Sequence, residues 1–241
     1  MKYVRDTSGR LSRRPHFEPI ELDRECERIV SEFLRGKFDA IRFPIPTDTL
    51  TVLVERDTAD FDMYADLSSL GADVEGVTEF IPGQKPRVRI SKRLTEERRL
   101  ENRLRTTITH EYGHVKFHAP LWQVDAQTAD MFGSRPERTS ISCKRENIMG
   151  AAEYDWMEWQ AGYACGAFLM PHTRVKAIAS DMLGQRLERG PLEAGSAQAV
   201  DLIGRLIETF QVSADAARVR LIKLKVIAEG GVATDLFSVG R

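Results

Sequence analysis

The sequence predicts an α+β fold that is mostly helical, with a small antiparallel sheet beside one motif-bearing helix and two further helices at the C-terminal end. Apolar residues recur at helical spacing through most of the 241 residues. Between Asp60 and Ile90 the period changes to short apolar runs of strand type. Within the helical part, His110-Glu111-Tyr112-Gly113-His114 reads H-E-x-x-H.

Residues 1–18, with several Arg and Ser, predict a flexible arm. From Pro19 to Leu34 the apolar positions Ile20, Ile29, Val30, Phe33 and Leu34 sit among charges at helical spacing, and Gly36 is placed to close that helix. Pro44 and Pro46 mark an extended link, after which Thr47 or Asp48 can cap a short helix carrying Leu50, Leu53 and Val54. Val74, Val77 and Phe80 lie on one side of a Pro82-to-Pro86 turn and Val88 and Ile90 on the other, which predicts an antiparallel pair. At a sheet edge, such a strand could hold an extended peptide. The motif helix is expected to start near Thr95, as a cap, with Glu96 and Glu97 at the positive end of its dipole, and to run to His118 before Pro120.

Residues 119–152 read as loop. A second strong helix spans Tyr154 to Met170, with Glu158, Ala161, Gly162, Cys165 and Leu169 on one side. A face of small residues admits a neighbouring helix closely, and Gly113 gives the motif helix a matching low point. Helical pattern resumes after Pro171 to about Leu187. Ala197–Phe210 and Ser213–Ile227 follow as two amphipathic helices. The chain thus divides into an arm (1–18), a main domain (19–190) and a C-terminal helical appendage (191–241).

Lys and Arg total 35 against 36 Asp and Glu, so no global field advertises nucleic acid or an anionic membrane. Apolar runs fall short of a membrane span and no signal-type apolar region follows Met1, so the expectation is a soluble, cytoplasmic protein without a membrane partner. Cys26, Cys143 and Cys165 are scattered and odd in number, which predicts reduced thiols. Cys143, in a polar run, is the one candidate for a reactive thiol near a site.

Two histidines four residues apart on a helix present their rings to one side and can share a Zn²⁺, with Glu111 placed to handle the proton of a water. A third ligand is needed. His118 lies about 12 Å of helical rise beyond His110, too far to share its ion, and reads as a supporting group. Glu158, the lone acid on the small-residue face, is the preferred third ligand, with Glu153 and Asp155 as alternatives. Zn²⁺ held by two imidazoles and a carboxylate lowers the pKa of its water, and Glu111 acts as the base.

Arg103-Leu104-Arg105-Thr106-Thr107-Ile108-Thr109-His110-Glu111-Tyr112-Gly113-His114, with Glu158-Trp159-Gln160-Ala161 and Phe168-Leu169-Met170-Pro171 downstream, resembles the ImmA/IrrE family of zinc metallopeptidases over about residues 19–228. The resemblance implies a gluzincin-like, zincin-type domain with His110, His114 and Glu158 as ligands and Glu111 as base. It also implies regulatory proteolysis of one protein partner, such as a repressor, an antitoxin or a similar small DNA-binding regulator. The chain departs from the family's pattern where an Asn is frequent and Gly162 stands, and where Gln160 replaces a frequent acid. A ligand must then be oriented by another group, for which Asp155 is the expectation. Tyr154, Tyr163 and His172 are candidates to stabilise an oxyanion, and Tyr154 and His172 also to support the ligands.

Leu206 to Ala217 echoes a helix-turn-helix, with Arg218, Arg220, Lys223 and Lys225 on its second helix. The expectation is a packing or docking appendage. The alternative is a transcription regulator whose peptidase-like domain senses and whose C-terminal helices bind DNA. A zinc-holding pseudo-enzyme is a third reading.

Overall fold

The computed structural model describes residues 1–6, 13–122, 139–144, 155–184 and 190–228. Its chain begins with a hairpin, not a loose arm: β1 (Lys2–Arg5) pairs antiparallel with β2 (Arg13–His16). Backbone pairing supplies the order that composition did not advertise. Helix α1 (Pro19–Phe38) follows, opened by Pro19 in its first turn and by a reciprocal capping box between Glu18 and Glu21. It runs past Gly36 and closes at Asp39, which takes the left-handed conformation (φ 53°) and bonds Arg35 O. The short helix α2 (Thr47–Glu55) is present, but its N-cap is Pro46 and no side chain caps it; Thr47 and Asp48 lie within its first turn.

The main sheet has the order β3 (Asp60–Ala65), β5 (Arg87–Ser91), β4 (Val74–Phe80), β6 (Thr139–Lys144). β4 and β5 form the expected antiparallel pair around the Pro82–Pro86 turn, where Gly83 adopts φ 73°. The sheet as a whole is mixed, because β3 runs parallel to β5. β6 pairs antiparallel with β4 and lies inside the stretch expected to be loop. Both strands of the β4–β5 pair are therefore internal, and neither offers the free edge that peptide addition requires.

Helix α3 (Lys92–Glu96) and a turn of 3₁₀ helix lead into α4 (Glu101–Phe117), which carries the motif. Thr95 does not cap it; its hydroxyl donates to Met63 O at 2.6 Å, and α4 starts six residues later. Helix α5 (Trp156–Leu169) is capped by Asp155, and α6 (His172–Leu183) follows Pro171. Helices α7 (Ala197–Phe210) and α8 (Ala214–Lys223) are capped by Ser196 and Ser213. Gln211, at φ 51°, holds the left-handed turn position between them. No helix among the described residues is long and apolar enough to cross a membrane.

One apolar core runs from Leu22 of α1 through Ile108 of α4 and Phe168 of α5 to Phe210 and Leu221 of the last two helices. The C-terminal pair is thus part of the main body over its described residues. Two buried cations fasten it. Arg105 of α4 donates to Phe210 O (3.1 Å) and to Ile45 O. Arg220 of α8 is ion-paired with Asp23 of α1 at 2.6 Å and also donates to Met170 O.

Candidate metal centre

Helix α4 puts His110 and His114 one turn apart, so their Nε2 atoms lie 3.2 Å from each other. Glu158 enters from the first turn of α5, where Asp155 Oδ1 accepts from its backbone N–H at 3.5 Å. Its Oε2 is 3.3 Å from His110 Nε2 and its Oε1 3.3 Å from His114 Nε2. The two helices can come this close because position 113 is glycine: a Cβ there would meet Ala161 Cα at 3.0 Å and Ala161 O at 3.2 Å. Cys165, one turn further along the same face, donates to Thr106 O. The small-residue face read from the sequence is the face that α5 turns to α4.

His110, His114 and Glu158 form a buried group that could hold a metal ion. Three donors bound at about 2.0–2.2 Å to a tetrahedral ion stand about 3.3 Å apart, the spacing found here. Both carboxylate oxygens of Glu158 are buried without a hydrogen-bond partner among the described residues, as is Nδ1 of His110. Buried oxygens in that condition are costly unless a cation meets them. The donor set therefore fits a divalent ion that accepts nitrogen and carboxylate ligands.

Electrostatics within the group are tightly linked. Burial pushes the Glu158 carboxyl up, but the two imidazoles outweigh it and hold its pKa well below the usual carboxylate range. Burial lowers the pKa of His110, aided by the neighbouring imidazole of His114. Burial also opposes charge on His114, yet the Glu158 carboxylate, with Glu111 and Asp155 beyond it, brings its pKa above the ordinary value.

Glu111 points from α4 toward β4. Its Oε2 accepts from Thr78 Oγ1 at 2.5 Å. Gly76, two residues earlier on the same strand face, leaves the space it occupies, since a Cβ there would stand 2.3 Å from Glu111 Oε1. Neither β4 residue was foreseen; alternation in a strand says which face a residue takes, not which helix residue it meets. His118 lies behind His114, with the two Nδ1 atoms 2.9 Å apart. Its Nε2 is 3.1 Å from Gln160 Oε1. Gln160 was read only as a departure from a pattern, and its place here had no signal in the sequence.

Asp155 caps α5 by accepting from the backbone N–H of Glu158, and its charge also acts on His114. The other expected supporting residues are elsewhere. His172 opens α6, beyond the far end of α5, which puts it about 16 Å or more of helical rise from Glu158. Tyr163 donates to Asp23 Oδ2 at 2.8 Å, in the Arg220 cluster on the other side of α5. Tyr154 and Glu153 lie outside the described residues. Cys143 pairs through its backbone with Gly76 in the sheet, and its thiol is likewise outside what is described. Cys26 and Cys165 are free, buried thiols. Comparison with protein-family models and with curated proteins gave no match for this chain.

Proposed function

We propose that the chain is a zinc-dependent endopeptidase of the ImmA/IrrE type, cytoplasmic, which cuts one regulatory protein and does not digest proteins at large. The observation that carries this reading is the convergence of His110 Nε2, His114 Nε2 and the Glu158 carboxylate at 3.2–3.3 Å, with the Glu111 carboxylate on the adjacent helical position. Zn²⁺ at such a site supplies Lewis-acid activation of water and of a substrate carbonyl. The two imidazoles and Glu158 would hold and orient the ion. Glu111 is the proton carrier: it takes a proton from the attacking water and returns it to the leaving amine. Thr78, donating to Glu111 Oε2, restrains that carboxylate for the transfer.

The alternative of a DNA-binding regulator rested on the cations of α8. Arg220 is buried in an ion pair with Asp23, and Lys223 is half-buried beside the Tyr163 ring, its pKa pushed down to about 8 mainly by burial. Arg218 and Lys225 alone remain exposed among the four. That is a poor phosphate-binding stripe.

The test is to incubate the zinc-loaded chain with a small DNA-binding protein encoded by a neighbouring reading frame and to follow cleavage by mass spectrometry. Wild type is expected to cut at one or a few bonds. Glu111→Gln is expected to keep one zinc per chain and to lose at least about 10²-fold in rate. Cleavage undiminished in Glu111→Gln, or a loss of zinc with it, removes the role given to Glu111.

A further inference from the structure

The chain of contacts behind His114 continues past Gln160. The Gln160 side chain, in a residue only 2 % exposed, bridges two parts of the molecule distant in sequence. Its Nε2 donates to Pro15 O of β2 at 3.1 Å, and its Oε1 faces His118 Nε2 at 3.1 Å. His118 Nδ1 in turn faces His114 Nδ1 at 2.9 Å. His114 Nε2, at the end, faces His110 and Glu158.

Each link permits only one direction. A backbone carbonyl accepts and cannot donate, so the Gln160 amide nitrogen must face Pro15 and its oxygen must face His118. That oxygen also only accepts, which puts the His118 proton on Nε2 and leaves a lone pair on His118 Nδ1. Two ring nitrogens at 2.9 Å need one proton between them, and it must come from His114 Nδ1. In the neutral ring His114 Nε2 is then bare. Were the amide reversed, two carbonyl oxygens would face each other at Pro15. His118 would then donate from Nδ1, and the His114 proton would move to Nε2, where it blocks a ligand position.

We infer that Gln160, anchored on the Pro15 carbonyl of the N-terminal hairpin, is a positioning residue that sets the tautomers of His118 and His114 and so keeps His114 Nε2 available to a metal ion. The last step rests on the metal-centre reading; the tautomers do not. The hairpin thereby acts on the site without touching it. His110 has no corresponding support, because its Nδ1 has no hydrogen-bond partner among the described residues.

The experiment is long-range ¹H–¹⁵N correlation spectroscopy on the full, metal-stripped chain, with zinc affinity read by competition against a chromogenic chelator. In wild type His118 is expected as the Nε2–H tautomer. Gln160→Met keeps the volume but removes the acceptor, so that preference is lost and zinc binding weakens about 10–100-fold. Gln160→Glu loses the donor to Pro15 O but restores an acceptor toward His118, and is expected to keep the Nε2–H tautomer and to bind zinc more tightly than Gln160→Met. An Nδ1–H tautomer of His118 in wild type overturns the inference, and so does an unchanged affinity in Gln160→Met or an equal loss in both variants. Failure of wild type to bind zinc overturns the metal-centre reading instead, and the His118 spectrum still decides the tautomer assignment.

Discussion

Glu158 and Gly76 separate two roles that a single loss of activity would confuse. Glu158 brings buried oxygens, without a hydrogen-bond partner among the described residues, to two imidazole nitrogens. Its removal should therefore cost little in the metal-free protein and much in the metal-bound one. Glu158→Ala is expected to abolish the rise in Tm that zinc gives the wild type over the chelator-treated state, since only a ligand bound to the native state stabilises it; an undiminished zinc-dependent rise would move the third ligand elsewhere. Gly76→Ala acts on Glu111 alone. Its Cβ would stand 2.3–2.9 Å from three atoms of Glu111, whose other oxygen Thr78 restrains. Zinc content should be unchanged while the rate falls about 10²-fold, the usual consequence of an ångström-scale displacement of a reacting group. Full activity in Gly76→Ala would mean that Glu111 has freedom to reposition. At this scale His110, Glu111, His114 and Glu158 were legible because H-E-x-x-H spacing and a lone acid on a small face are local patterns. Gly76, Thr78 and Gln160 were not, because each owes its place to an element far along the chain.

Helices α4 and α5 form the element pair on which the site depends, and Gly113 sets their separation. Helix propensity alone favours alanine over glycine in a helix interior by about 1 kcal/mol. Against that stands a Cβ contact of 3.0 Å with Ala161 Cα, which is backbone and cannot swing aside. Overpacking of that kind costs about 1–3 kcal/mol, so the clash wins. Gly113→Ala is expected to lower stability in urea by up to about 2 kcal/mol. It should also weaken zinc binding, because spreading the helices draws Glu158 away from the imidazoles; a Gly113→Ala protein more stable than wild type, with its zinc, would contradict this packing. The Gly113 approach, the Pro171 stop and the short helix from Thr47, though not its cap, could be read from sequence, since glycine and proline act within a turn or two. Strand β6 and the parallel strand β3 could not. Their pairing is decided by partners more than twenty residues away, and a parallel neighbour leaves no turn signature.

At the scale of the whole molecule the described C-terminal helices belong to the main body, joined to it through apolar side chains and through the Arg220–Asp23 pair. The amphipathic pattern of α7 and α8 was visible, but not that their apolar faces complete the core begun by α1. Nor does sequence say that a basic residue on such a helix will turn inward. Arg220 and Asp23 are both almost fully buried, at 1 % and 3 % exposure, and Tyr163 completes the cluster by donating to Asp23. A buried pair like this gains little over apolar residues of the same volume, because desolvation offsets attraction, yet losing one member strands the other charge. Arg220→Met alone should therefore destabilise by about 3–5 kcal/mol, and Asp23→Leu combined with it should recover a large part of that loss. Because α1, α4, α5 and α8 share one core, the single variant should lower the unfolding midpoint of the entire chain, with far-ultraviolet signal and zinc release moving together. An early, separate loss of the last two helices, leaving zinc in place, would show instead that they fold as an appendage.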